Sequence, residues 1–169
     1  MSSEENRPLP WGRGWRCSTC GGLIRKVDDG RVEWLAGLDD QGITRLEGLR
    51  LVHSRSASPR TGEQYGCEYN AAQEFHTRRN LVEGLPLERF VGADGLMLLL
   101  SLIAEDEMPR GDLLELAKRV QIPGYELTRE FFHEAIASGV LAPSIADGYY
   151  LQSEMWALFN WVGEEAKSA

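Results

Sequence analysis

Read for the spacing of apolar and polar positions, the chain changes period near residue 94. Before that point, short runs of β-branched and aromatic residues alternate with polar turns. In "GLIRKVDDGRVEWLAG", Asp28-Asp29-Gly30 separates two such runs, which predicts a β-hairpin. A third strand is expected at "GLRLVHS", ending near His53, after a loop at "LDDQGITRLEG". "SRSASPRTGEQYG" reads as a longer loop, and Asn70 as the cap of a short helix, "AAQEFHTRR". "EGLPLERFVGADG" reads as a connector.

From Asp94 onward the period is helical. "DGLMLLLSLIAEDE" is apolar almost all round, which predicts a central, buried helix. "RGDLLELAKRV" places Leu113, Leu114, Leu116, Ala117 and Val120 on one side. After the "QIPGY" turn, "ELTREFFHEAIAS" repeats the helical pattern, with Gly139 as its stop. Its core side should hold Leu127, Phe131, Ala135 and Ile136, leaving Glu126, Arg129, Glu130, His133 and Glu134 outside. "VLAPSIADGYYL" predicts two short strands around a turn, and a last helix is expected over roughly 152–166.

Charge is also unevenly divided along the chain. Residues 1–80 are nearly balanced at a net +1, whereas residues 81–169 carry −9, together the −8 of the whole chain. Two modules are therefore expected, 1–80 and 81–169. No apolar run is long enough to cross a bilayer, and the polar N-terminus lacks the pattern of a secretory signal, so the cytoplasm is the expected compartment. Thiols stay reduced there, and three cysteines are an odd number for a disulfide framework.

Candidate chemistry centres on "CSTCGG". A tight C-x-x-C turn aims two thiolates at one ion, and glycine after the second cysteine lets backbone N–H groups approach the sulfurs. Two further ligands are needed. Cys67 is the remaining cysteine, and His53 closes the third strand, so the expected site is Cys17, Cys20, His53 and Cys67 around zinc. His76 is the substitute should His53 face solvent. A redox pair would call for a helix starting at the cysteines, and a hairpin follows instead. Unligated structural cysteines are the remaining alternative. Four protein ligands leave no position for water, so the zinc would be structural.

Over residues 15–70 this pattern resembles a zinc ribbon, with "CSTCGG" carrying the resemblance. An ordinary ribbon has a second C-x-x-C, which His53 and Cys67 replace here. Residues 96–151 resemble a winged helix-turn-helix in element order and in the "QIPGYELTREFF" turn. The expected fold class is thus α+β, a small antiparallel zinc-ribbon-like sheet followed by a winged-helix-like helical half. In a DNA-binding version the helix after the turn would enter the major groove, but its three exposed carboxylates oppose phosphate. Protein contacts are the better expectation for that half.

Arg55 and Arg60, among serines, offer an anion or RNA contact, against the plainer reading of a solvated loop. No phosphate loop, nucleophile elbow or H-E-x-x-H motif occurs. The C-terminal helix carries Met155, Trp156, Phe159 and Trp161 on an apolar arc wider than docking requires, so Trp156 and Trp161 are candidate interface residues. They would serve a protein partner or a homodimer, unless both rings are buried internally. The expected function is a non-enzymatic, zinc-binding interaction or regulatory module, bacterial in style. The first alternative is a nucleic-acid binder using the ribbon and the 55–60 loop. The second is an enzyme with a site between the halves.

Overall fold

The computed structural model describes residues 14–168, with side chains through 164. Residues 1–13, part of the stretch read for a secretory signal, lie outside the described residues. The protein is a mixed α+β chain with small antiparallel sheets and six α-helices among the described residues. It divides into two compact units, one ending at Gln121 and the other beginning at Ile122.

In the first unit, β1 (Trp15–Arg16) and β2 (Leu23–Ile24) pair antiparallel around the cysteine turn, with Trp15 opposite Ile24. A separate three-stranded sheet has β3 (Gly30–Leu38) at its centre, flanked by β4 (Thr44–His53) and β5 (Leu81–Pro86). Both neighbours run antiparallel to β3, and Gly30 lies opposite His53. The hairpin expected at Asp28-Asp29-Gly30 does not form. Val27–Asp29 is a 3-10 turn that carries the chain from the small sheet to the large one. The hairpin lies one strand later, where Asp39 Oδ1 accepts from the Gln41 and Ile43 amides.

Asn70 caps α1 (Ala71–Arg78) as expected, accepting from the Gln73 amide at 3.0 Å. The expected connector contains β5 and a 3-10 turn, Leu87–Phe90. Since β5 pairs with β3, the boundary expected at residue 80 falls inside the first unit. Behind the sheet lie α2 (Gly92–Glu105) and α3 (Arg110–Gln121). Leu87, Phe90, Leu99 and Leu113 join Val32, Leu51 and Val52 in one core, all fully buried. Burial of seven such side chains stabilises the unit by roughly 1.5–3 kcal/mol each before conformational entropy is counted. α2 is not buried all round, as its pattern predicted. Leu96, Met97 and Leu100 are exposed.

The second unit contains α4 (Tyr125–Thr128), α5 (Phe132–Ala137) and α6 (Gln152–Ser168). The single helix expected at "ELTREFFHEAIAS" is therefore broken, although Leu127, Phe131, Ala135 and Ile136 all pack in this unit's core as expected. Tyr125, Thr128, Phe132 and Ala135 are buried, as is Glu126, expected outside. Glu126 sits beside Arg129, with 3.6 Å between Oε2 and Nε. Gly139 ends α5 with φ +72°. Residues 140–151 form no strand, so the expected wing is absent among the described residues. The helices of the expected winged-helix order also fall in different units.

Candidate metal centre

Cys17, Cys20, His53 and Cys67 come together, with their ligand atoms all within 4.8 Å of one another. It is the one such cluster of three or more His, Cys, Asp or Glu among the described residues. Three separate pieces of chain supply it.

The first is the turn between β1 and β2. The Cys17 amide donates to the Gly22 carbonyl and the Gly21 amide to the Cys17 carbonyl, both at 2.9 Å, which closes a tight loop. Gly21 holds φ +71°, a left-handed conformation that side chains disfavour. The Gly22 amide then points at Cys20 Sγ, 3.4 Å away. The second piece is the end of β4. The Ser18 amide donates to the Leu51 carbonyl at 2.8 Å, docking the turn on the strand two residues before His53. The His53 amide itself donates to Cys17 Sγ at 3.4 Å.

The third piece is the 54–69 loop that delivers Cys67. Its anchor is an ion pair across the sheet. Glu33 is fully buried on β3, and its Oε1 accepts from Arg50 Nε at 2.8 Å and from the Tyr69 amide at 2.9 Å. Arg50 also stacks on the Tyr69 ring, 3.4 Å from its centroid, and donates to the Cys67 carbonyl at 3.2 Å. Thr19 Oγ1 donates to the same carbonyl at 2.6 Å. The loop is thereby tied both to the strand that carries His53 and to the cysteine turn.

The donor atoms suit a tetrahedral ion. With Zn–S near 2.3 Å and Zn–N near 2.0–2.1 Å, tetrahedral neighbours should lie about 3.5–3.8 Å apart. His53 Nδ1 is 3.5 Å from Cys20 Sγ and 3.8 Å from Cys67 Sγ. The other ring nitrogen, Nε2, lies 3.3 Å from the Leu23 carbonyl oxygen. A carbonyl only accepts, so Nε2 donates to it, and in the neutral ring Nδ1 then offers its lone pair toward the sulfurs. Metal-binding histidines are oriented in this way. Ser58 Oγ donates to Cys67 Sγ at 3.1 Å.

The electrostatics point the same way. Burial works against a charged Cys17, but the Cys20, His53 and Thr19 amides outweigh it and bring the thiol down to about 6. Burial pushes Cys67 up to about 12, against the Ser58 hydroxyl, with Cys20 and Cys17 adding to the rise. Three thiolates packed this closely repel one another. A divalent cation removes the conflict, because a coordinating thiol is deprotonated outright. Cys17, His53 and Cys67 are buried and Cys20 is exposed, so an ion could enter from the Cys20 side.

The remaining expected residues lie elsewhere. His76 is exposed on α1 and outside the cluster. Arg55 pairs with Glu68 at 3.2 Å, and Arg60 pairs with Glu63, so each cation of the 55–60 loop already has a carboxylate. A cleft of about 410 Å³ lies beside the centre, lined by Thr19, Arg50, Arg60, Tyr65 and Tyr69 among others. Trp156 and Trp161 are partly buried against the core of their own unit, where Trp156 meets Phe159 edge to face. Sequence reading named the four residues that cluster but missed Glu33, Arg50, Thr19 and Ser58. Glu33 and Arg50 are two of several charged residues on β3 and β4, and their pairing depends on register.

No helix among the described residues is long and apolar enough to cross a membrane. Compared with known proteins, the chain matches no family model, no curated protein and no solved structure.

Proposed function

We propose that Cys17, Cys20, His53 and Cys67 hold one zinc ion as a structural staple in a non-enzymatic module that works by binding another protein. The observation that carries the metal reading is the His53 ring, with Nδ1 toward two sulfurs and Nε2 on the Leu23 carbonyl. Three thiolates and one imidazole favour zinc over magnesium or calcium, which take oxygen ligands. Four protein ligands fill a tetrahedral shell, leaving no position where water or substrate could be activated. The zinc-ribbon likeness is supported by the short β1–β2 turn that carries two of the ligands.

Such an ion would join the small sheet, the end of β4 and the Cys67 loop. Its role is then to hold a surface in shape. Nucleic-acid binding through the 55–60 loop has less support, since Arg55 and Arg60 are each paired with a carboxylate.

Elemental analysis with native mass spectrometry tests the metal reading. One zinc per chain is expected in the wild type, and none in Cys17→Ser. Binding at structural sites contributes on the order of 10 kcal/mol to folding in small modules, so Cys17→Ser should also lose much of the β structure. A metal-free wild type whose thermal stability is unchanged by added zinc would refute it.

A further inference from the structure

α2 has two faces. One packs on the core through Leu99 and Gly95, both buried, with Leu98, Leu102 and Ile103 partly buried beside them. The other carries Ala93, Leu96, Met97, Leu100 and Ala104, all exposed. Leu96, Met97 and Leu100 keep 43%, 67% and 52% of their surface in water. At about 100° per residue these five fall within an arc of roughly 100°, a continuous stripe about three turns long. Scattered apolar side chains on a surface need no explanation, but a stripe at helical spacing does. Solubility alone would favour polar residues at these positions.

The stripe has a charged border of one sign. Asp94, Ser101 and Glu105 lie along one flank, and Ser101 donates to Glu105 at 3.1 Å. α2 has an acidic first turn and no basic residue in its last. A second copy laid on the stripe would bring two acidic borders together, which like-charge repulsion opposes. Anionic lipid is disfavoured for the same reason. We infer that the exposed face of α2 is a docking surface for an amphipathic helix of a partner protein. That helix presents apolar residues at i, i+3, i+4 and i+7 and lysine or arginine beside them. Leucine and methionine supply adaptable packing, and Asp94 and Glu105 set the orientation and reject acidic helices. The inference rests on the interaction role proposed above but not on the zinc.

Fluorescence anisotropy on the intact chain tests it. The probe is a labelled synthetic helix of about four turns, with leucine at those spacings and lysine elsewhere. A sister peptide has glutamate in place of lysine. The lysine peptide should bind saturably and about ten-fold or more tighter than its sister, and Met97→Ser/Leu100→Ser should weaken it by a similar factor. Asp94→Lys/Glu105→Lys should reverse the preference toward the glutamate peptide, a gain that a misfolded variant would not show. Equal binding of the two peptides overturns the proposal. So does a wild-type dimer that Met97→Ser/Leu100→Ser dissociates, since the occupant is then a second copy. Lysine-peptide binding untouched by Met97→Ser/Leu100→Ser would overturn the α2 assignment while leaving an interaction role elsewhere on the molecule.

Discussion

Removal of the Arg50 guanidinium would strand a carboxylate inside the protein. Glu33 is fully buried, and its Oε2 has no hydrogen-bond partner, so the charge on Glu33 depends on Arg50. Burial raises the Glu33 pKa even with Arg50 opposing the rise. Arg50→Ala should therefore cost about 3–5 kcal/mol in urea unfolding, and Glu33→Gln in the same chain should recover part of it. A cost below about 1 kcal/mol would mean that the pair is not an anchor. Glu154 offers the opposite case. It accepts from the Ser144 hydroxyl at 2.6 Å and from the Leu151 and Ser144 amides at 2.7 Å. The Ser144 hydroxyl and the Leu151 amide, in that order, hold its carboxyl below the usual range despite burial. A folded pKa below the unfolded one gives stability that is complete above the unfolded value and lost as pH falls through the folded value. Glu154→Gln should cost about 1–3 kcal/mol at neutral pH. Calorimetry should find that the gap narrows once pH falls below the ordinary glutamate range. A gap that persists unchanged at low pH would contradict it. The four clustered residues were legible in sequence because the C-x-x-C spacing is itself chemistry, and only two other histidines and no other cysteine compete. Glu33 with Arg50 was not, since a cross-strand pair exists only once register is known.

At the level of elements, local signals succeeded where one residue decides and failed where tertiary contacts do. Asn70 begins α1 and Gly139 ends α5 as expected. Most of β5 was read as part of a connector, yet the strand pairs with β3 from Arg31 to Ala36. Asp28-Asp29-Gly30 carries a turn signal, but the chain there leaves one sheet for another. The apolar composition of α2 suggested burial on all sides, while a helix laid on one sheet hides one face only. Gly95 on that helix sets two effects against each other. Intrinsic propensity favours alanine over glycine by about 1 kcal/mol in a helix interior. A Cβ at Gly95, however, would lie 2.1 Å from the Phe90 carbonyl carbon and 2.4 Å from its oxygen. The obstacle is backbone and cannot rotate away, so Gly95→Ala should destabilise, by about 1–3 kcal/mol in chemical denaturation. A stabilised Gly95→Ala chain would show that α2 and the Leu87–Phe90 turn separate easily.

The change in charge balance after residue 80 suggested a boundary there. Contacts place it after Gln121, because β5, α2 and α3 share the core of the sheet. Charge balance reports what faces solvent and not which elements pack together. The unit from Ile122 onward has its own core of Tyr125, Phe132, Ala135, Leu141, Met155 and Leu158. Chelation should therefore act unevenly. Hydrogen exchange after zinc removal should speed up at β3 and β4 amides and change little at α6. Uniform loss of protection would mean that the two units unfold together. The central claim, one zinc on Cys17, Cys20, His53 and Cys67, is tested most directly by zinc-edge X-ray absorption on the purified chain. Three sulfurs at about 2.3 Å and one nitrogen at about 2.0–2.1 Å are expected. A shell of oxygen and nitrogen alone, or no bound zinc, would contradict it.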